Sequence, residues 1–295
     1  MTEGLEEIPS QPASRRLIDR RPTPARHRIS PEPLGMAEQL RELLGTRDLF
    51  VLLLGREIRV RYKQTGLGVV WVVLQPLVPA VIFALVFGTF ARLPSAGVPY
   101  LLFALSGLVV FGLFSNAVSR AANSFLRDAQ LVTKVYFPRA ILPLASGSAA
   151  VVDFLVGLVV LVVLMASTGI VPAAAVLAVP LIALFTLAVA LGFGLAVSAL
   201  SAHYRDFALT VPFVLQVALY ASPVVYSSEL VPTPLRTLYA LNPLVTPIEA
   251  FRWALLGTPA PSLDQVLAAL LTGGATVIFG LAVFWRASRD LPDVI

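Results

Sequence analysis

Arg56, Arg59, Arg61 and Lys63 put four positive charges within eight positions, and no charged residue follows until Arg92. Guanidinium and ammonium groups at this spacing bind anions rather than break bonds. Beside a long apolar run the nearest anions are lipid headgroups, and each Lys or Arg near an anionic membrane surface contributes about 1 kcal/mol. At about 100° per residue, Ile58 and Tyr62 continue the apolar side begun by Val51 and Leu54. Arg56, Arg59 and Lys63 fall on a neighbouring face, and Glu57 and Arg61 on the opposite flank. An apolar underside with basic flanks describes a helix lying in the headgroup layer. Thr65-Gly66-Leu67-Gly68 then makes a joint into an apolar stretch that carries Trp71 in its first turn. A topology signal alone would account for the arginines, but not for the Gly66-x-Gly68 joint.

The elements that must position these charges are membrane spans. Of 295 residues, 57% are hydrophobic and 13% charged, whereas a soluble domain carries about 25% charged residues. The expected fold is all-α and polytopic, with six transmembrane helices at about 69–90, 99–119, 147–167, 173–200, 208–225 and 266–285. Residues 1–34 hold six prolines and no apolar core, which predicts a disordered cytoplasmic tail rather than a signal peptide. Residues 35–68 form the amphipathic interfacial region, and 69–295 the six-span domain. Pro76 and Pro79 lie in the first half of span one, so a kinked helix packed against protein is expected there. The fourth span is too long for one perpendicular crossing, so it is tilted or broken near Pro180, and Ala188-xxx-Gly192-xxx-Ala196 offers a close-packing face. Residues 227–265 are apolar, proline-rich and nearly uncharged, which predicts re-entrant half-helices at Pro234–Leu241 and Pro247–Leu256 around Asn242-Pro243. Glu249 and Arg252 stand three apart and are placed to pair on one face. With the N-terminus inside, 19 of the 22 Lys and Arg residues fall on the cytoplasmic side, so both termini are expected in the cytoplasm.

Composition also excludes chemistry. There is no cysteine, so no disulfide, thiolate catalysis or thiolate-bound metal, and with only His27 and His203 an all-protein zinc site is not expected. The net charge of +5 sits beside apolar spans, which points to membrane topology rather than to nucleic acid. No G-x-x-x-x-G-K-[ST] loop is present, so the chain does not hydrolyse ATP by that route. Asp153 is the one acid clearly inside a span. The twelve Val, Leu or Phe residues of Val151–Leu164, at roughly −0.3 to −0.6 kcal/mol each, outweigh its cost of roughly 2.5–3.5 kcal/mol. An ion pathway, a buried structural pair and an interfacial position are all open to it. A carrier driven by ions usually shows several such groups. By elimination the chain transports without its own energy source, or is structural.

The stretch Arg59 to Pro76, R-V-R-Y-K-Q-T-G-L-G-V-V-W-V-V-L-Q-P, resembles the signature of membrane subunits of bacterial ABC exporters for polysaccharides and polyol phosphates. Ser222-Pro223-Val224-Val225-Tyr226 and the Asn242-Pro243 break followed by Arg252 resemble later landmarks of that family, and the likeness covers about Leu34 to the end. The resemblance implies a homodimer in the bacterial plasma membrane, working with two separate ATP-binding subunits that carry the ATP and Mg, so that this permease binds no cofactor itself. It implies export of a lipid-linked glycan of the O-antigen, teichoic acid, capsule or galactan type. Arg59, Arg61 and Lys63 would meet the lipid-linked phosphate. Phe111 and Phe114 would line the channel. Ala121–Thr133, with Arg127, Asp128 and Lys134 at or beside it, would be a coupling helix docking on the ATPase, and His203 and Arg205 a smaller second contact. Gly66, Gly68, Pro76, Asn242 and Pro243 would be structural. An exporter of the same build for a lipid or a drug, and a structural membrane protein without transport, are the alternatives.

Overall fold

The computed structural model describes residues 45–63, 68–134, 137–172 and 174–287, and all regular structure among them is helical. Helix α1 is Arg47–Lys63. The joint residue Gly66 and the side chain of Lys63 lie outside the described residues. Helix α2, Gly68–Phe83, contains Pro76 and Pro79 and passes directly into a π-helical segment, Ala84–Phe90. Each proline lacks the N–H that would bond four residues back, so the carbonyls of Val72 and Gln75 lose their helical partners. Helix α3, Tyr100–Ala122, follows a turn in which Arg92, Ala96 and Gly97 have φ of 50°, 53° and 81°.

The expected coupling helix at Ala121–Thr133 is in fact three pieces. Helix α3 runs on to Ala122, and α4 (Ser124–Arg127) and α5 (Ala129–Lys134) follow. The breaks fall at Asn123, whose side-chain amide donates back to the Ser119 carbonyl at 2.8 Å, and at Asp128, which leaves helical geometry at φ −112° and ψ 29°. Next come α6 (Ile141–Ser148) and α7 (Ala150–Ser167), then a 3-10 turn at Ala174–Ala178 and α8 (Val179–His203). The expected break near Pro180 falls just before it. The proline opens α8, where its missing N–H removes no helical bond. Helix α9 is Arg205–Tyr220, and 227–265 holds short 3-10 turns, α10 (Arg236–Ala240) and α11 (Val245–Leu256), the last closed by Gly257 at φ 71°. Helix α12 is Leu263–Ala287.

Among the described residues, five stretches are long and apolar enough to cross a membrane: Val70–Phe90, Tyr100–Ala122, Ile141–Ser167, Ala174–His203 and Leu263–Ala287. Helix α9 has 16 residues, short of the ~20 that a perpendicular crossing needs.

Helix α3 is the hub. Fifteen of its 23 residues are buried, and it packs against α2, α6, α7, α8 and α11. Among apolar lipid tails, helices gain nothing from apolar side chains alone, so close backbone approach must supply the attraction. Small residues permit it. A Cβ on Gly194 would lie 2.7 Å from that of Ala121 on α3, and one on Gly147 would lie 3.1 Å from the Ala117 carbonyl oxygen. The tightest seam joins α8 to α12. A Cβ on Gly192 would lie 2.6 Å from the Val277 Cα, and one on Gly280 only 1.9 Å from the Gly192 carbonyl oxygen. Of the close-packing series read from the sequence, Gly192 and Ala196 are buried in the bundle, while Ala188 is exposed. The seam continues instead through Val189 and Phe185, which meet Gly273.

The far end of α3 is fastened by Arg252 of α11, which is buried at 3% exposure. Its guanidinium donates to the carbonyls of Phe103 (3.1 Å) and Val224 (2.8 Å) and stacks 3.5 Å from the Phe103 ring centroid. The expected Glu249–Arg252 pair gives way to this arrangement: Glu249 accepts instead from Ser228 and, at 3.4 Å, from Gln265. The fork of Arg252 reaches carbonyls on two segments at once, which a pairing along one helix face would forgo. Gly107 makes the room, since a Cβ there would lie 2.7 Å from the guanidinium.

Backbone contact at the α8–α12 seam makes Gly280 intolerant. Gly280→Leu should abolish the monodisperse protein recovered in detergent, whereas Gly274→Leu, where an added Cβ meets nothing within 4 Å, should leave the yield unchanged. Equal yields from the two variants would contradict the seam.

Candidate functional site

Asp153 lies in the first turn of α7, and its Oδ2 accepts from two guanidiniums, Arg120 at 2.6 Å and Arg61 at 3.0 Å. The three residues come from α7, α3 and α1. Their side chains are 8%, 13% and 28% exposed respectively. Arg61 also makes a long contact of 3.5 Å to the Gln75 side-chain oxygen on α2. Of the readings open to Asp153, this geometry is that of a structural ion pair, extended to a third group. Carrying a carboxylate into a low-dielectric region costs several kcal/mol unless it is paired, and here two cations share it.

A cavity of 270 Å³ opens beside this cluster. Its polar lining is Gln75, Ser115, Asn116 and Asp153, and its apolar lining includes Phe83, Leu108, Phe111 and Phe154. Gln75, Ser115, Asn116 and Asp153 all lie within about two turns of the ion cluster along their helices, and Asn116 stands one turn from Arg120 on the same face of α3. Phe83 and Leu108 lie further along, so the cavity is polar at the charged end and apolar beyond. Val72, Gln75, Pro76 and Pro79 form its α2 wall. The residues whose carbonyls the prolines release therefore line the same space.

A second ion network joins α1 to the segment after α3. Arg56 bonds Asp128 at 2.5 Å and Glu57 at 3.4 Å, and Arg127 bonds Glu57 at 3.3 Å. The hydrogen bond that Arg56 donates to Asp128 holds its guanidinium above the ordinary pKa, so it stays charged at any working pH. An apolar contact backs the network: Leu53, 4% exposed, packs in one cluster with Phe125, Ile141 and Leu142.

The other residues singled out in the sequence are spread over the bundle. Arg59 is exposed and turns back to the Gly55 carbonyl at 3.1 Å. Lys63 ends α1 and Gly68 begins α2. Phe111 lines the cavity, while Phe114 packs in the core with its ring 6.4 Å from those of Phe111 and Phe193. Lys134 ends α5. His203 Nδ1 lies 3.0 Å from the Ala199 carbonyl, and Arg205 opens α9. Asn242 donates to the Ala221 carbonyl (3.1 Å) and Ser222 Oγ (3.0 Å) and accepts from the Leu244 N–H (3.0 Å), so the Asn242-Pro243 break is tied to the Ser222-Pro223 turn. Arg61 does not line the cavity itself but bonds Asp153 and Gln75, which do. Arg120 and Gln75 were not picked out as site residues from the sequence. The i, i+4 spacing of Asn116 and Arg120 at the end of an apolar span was the available signal.

Curated relatives share most of this architecture's length. The O-antigen export system permease protein RfbA of Klebsiella pneumoniae is 28% identical over 249 residues, 84% of this chain and 95% of that protein. The protein of the same name from Myxococcus xanthus is 28% identical over 255 residues, 86% of this chain and 95% of the relative. The capsule polysaccharide export inner-membrane protein CtrC of Neisseria meningitidis serogroup A is 24% identical over 260 residues, 85% and 96% of the two chains. Residues 48–256, from the second residue of α1 to the end of α11, match the ABC-2 type transporter family, and the chain belongs to that family of transporter membrane subunits.

Proposed function

We propose that this chain is the membrane half of an ATP-driven exporter that carries a lipid-linked polysaccharide or polyol phosphate from the cytoplasmic face across a bacterial plasma membrane. The observation that carries the proposal is the near end-to-end likeness to O-antigen and capsule export permeases, over 84% of this chain and 95% of the first relative. In this reading α9 completes a set of six spans, α10 and α11 dip into the outer leaflet, and both termini are cytoplasmic, an orientation supported by the 19 of 22 cationic residues that it puts on that side. Two copies of the chain work with two separate ATP-binding subunits.

The geometry suggests how force would reach the substrate. Helices α4 and α5, with the turn at His203–Arg205, would face the ATPase. The Arg56–Asp128 and Arg127–Glu57 bonds tie that contact to α1, and α1 in turn carries Arg61, which bonds the cavity-lining Asp153 and Gln75. A displacement at α4 would then move α1 as one lever. Arg59 and Lys63, on the basic face of α1, would draw the anionic substrate to it, because charge-assisted bonds to a phosphate gain strength where water is thinned out.

Two experiments test this. Vanadate-sensitive ATPase activity should co-purify with the tagged chain from its native membranes. Because the chain has no phosphate loop, that activity must come from a bound partner, and repeated recovery of intact chain without it would contradict the exporter reading. Arg56→Asp, on α1 and outside the ATPase-facing segment, should lower ATP-driven export while leaving ATPase binding intact. Adding Asp128→Arg should restore much of it, with a coupling energy of about 1 kcal/mol for this partly buried pair. A double variant no better than Arg56→Asp alone would remove the lever.

A further inference from the structure

We propose that the cavity between α2, α3 and α7 binds a neutral amphiphile with a hydroxyl-bearing head, of the monoglyceride class. The Asn116 amide and the main-chain carbonyls released by Pro76 and Pro79 would hold the head. The inference goes beyond the exporter reading and does not rest on it, since the exported substrate proposed there carries a phosphate.

Unmet polar groups come first. Asn116 lies within the apolar stretch Tyr100–Ala122, is half-buried and lines the cavity. Among the described residues, no hydrogen bond reaches its side-chain amide. A polar group beside hydrocarbon costs free energy until it finds a partner. On the facing wall, Val72, Gln75, Pro76, Pro79 and Phe83 follow one face of α2 by their helical spacing. Positions 76 and 79 lack the N–H groups that the carbonyls of Val72 and Gln75 would otherwise accept. Within a span such carbonyls need another donor. One wall thus offers acceptors, and the other an amide that both donates and accepts.

The head group follows from that complement. A hydroxyl can give its proton to a released carbonyl and accept from the Asn116 amide. A fully ionised phosphate or carboxylate has no proton for the carbonyls, and an ammonium cannot accept from the amide. Charge argues the same way. Asp153 is the one charged residue among those described in the lining, and it opposes an anion. The Arg61 and Arg120 guanidiniums bonded to it oppose a cation. A neutral head meets neither objection.

The tail follows from the rest of the wall. Phe83, Leu108, Phe111 and Phe154 are apolar, which suits a hydrocarbon chain. At 270 Å³ the space is near the lower end of the ~300–1,000 Å³ usual for small-molecule pockets, so it takes a small head and one chain rather than a two-chain lipid. Gly112 also lines it, and an added Cβ there would meet nothing within 4 Å. The missing side chain leaves this room open.

The test is saturable binding of radiolabelled monododecanoylglycerol to the full chain in phosphatidylcholine nanodiscs, above the uptake of empty discs. Dodecyl methyl ether, dodecyl phosphate and dodecylammonium are the comparisons. The glyceride should bind, and the ether, which has no hydroxyl to donate, should bind about tenfold more weakly or worse. Asn116→Leu should weaken glyceride binding about tenfold. Its yield should not fall, because the change removes an unpartnered amide from an apolar span. Gly112→Leu, which fills the cavity, should also weaken binding. Uptake no greater than that of empty discs, or wild-type binding by Asn116→Leu, overturns the proposal. Should Asn116→Leu fail to insert, unchanged binding by both Gly112→Leu and Pro76→Ala, the latter returning an N–H to the Val72 carbonyl, overturns it equally. Tighter binding of dodecyl phosphate or of dodecylammonium would mean an ion site and contradicts a neutral one. Failure in this assay alongside intact ATPase co-purification would remove the cavity site and leave the exporter reading standing.

Discussion

One carboxylate oxygen in the first turn of an apolar helix holds one end of this bundle together. Oδ2 of Asp153 takes bonds from Arg61 and Arg120, which brings α1, α3 and α7 to one point. Paired charge is the form in which ionised groups persist beside hydrocarbon, because an unpaired one costs several kcal/mol. The position of α1 follows from this bond and from the Arg56–Asp128 and Arg127–Glu57 network beside it. The cavity lies against the part of α2 that carries Pro76 and Pro79, beside the same cluster. A neutral residue at 153 would take from both arginines the carboxylate that they share.

The opposite end of α3 is organised by the converse device. Arg252 is buried, but it meets backbone carbonyls and an aromatic face. It satisfies the Val224 carbonyl in an irregular turn and also reaches that of Phe103 in the first turn of α3. Asn242 does the same for the neighbouring chain reversal. Between the two polar ends the bundle has only small residues to bring backbones close, and the Gly192–Gly280 contact is the tightest case. One end rests on ionic bonds between side chains, while the other is fixed by hydrogen bonds to the main chain.

Much of this was legible in the sequence, and the losses have physical causes. Long apolar runs are local features, so five of the expected spans and the helix before them could be read directly, while the expected span at 208–225 falls on the 16-residue α9 and Gly66 of the expected joint lies outside the described residues. The break at Asn242-Pro243 and its flanking helices were equally local. What sequence could not supply was pairing at a distance. Asp153 stands 33 positions from Arg120 and far further from Arg61, and nothing local says that the three converge. Arg61 therefore read as a substrate residue alone, and Asp153 stayed open between three roles. Arg127 and Asp128 read as part of a partner contact, yet both also bond α1. Glu249 and Arg252 misled for the opposite reason: their spacing suggested a pair, but burial and open carbonyls two segments away took the guanidinium. The coupling segment read as one helix because propensity does not reveal where Asn123 and Asp128 turn the chain.

The central claim is that this chain carries a lipid-linked glycan out of the cytoplasm. Its most direct test is to delete the chain, restore it from a plasmid as the control, and locate the glycan by labelling the surface of intact cells and extracting the lipid-linked pool from the membrane fraction. The account predicts that surface glycan disappears on deletion, that lipid-linked chains accumulate on the cytoplasmic side, and that the plasmid copy reverses both. Unchanged surface glycan with no cytoplasmic accumulation would contradict it.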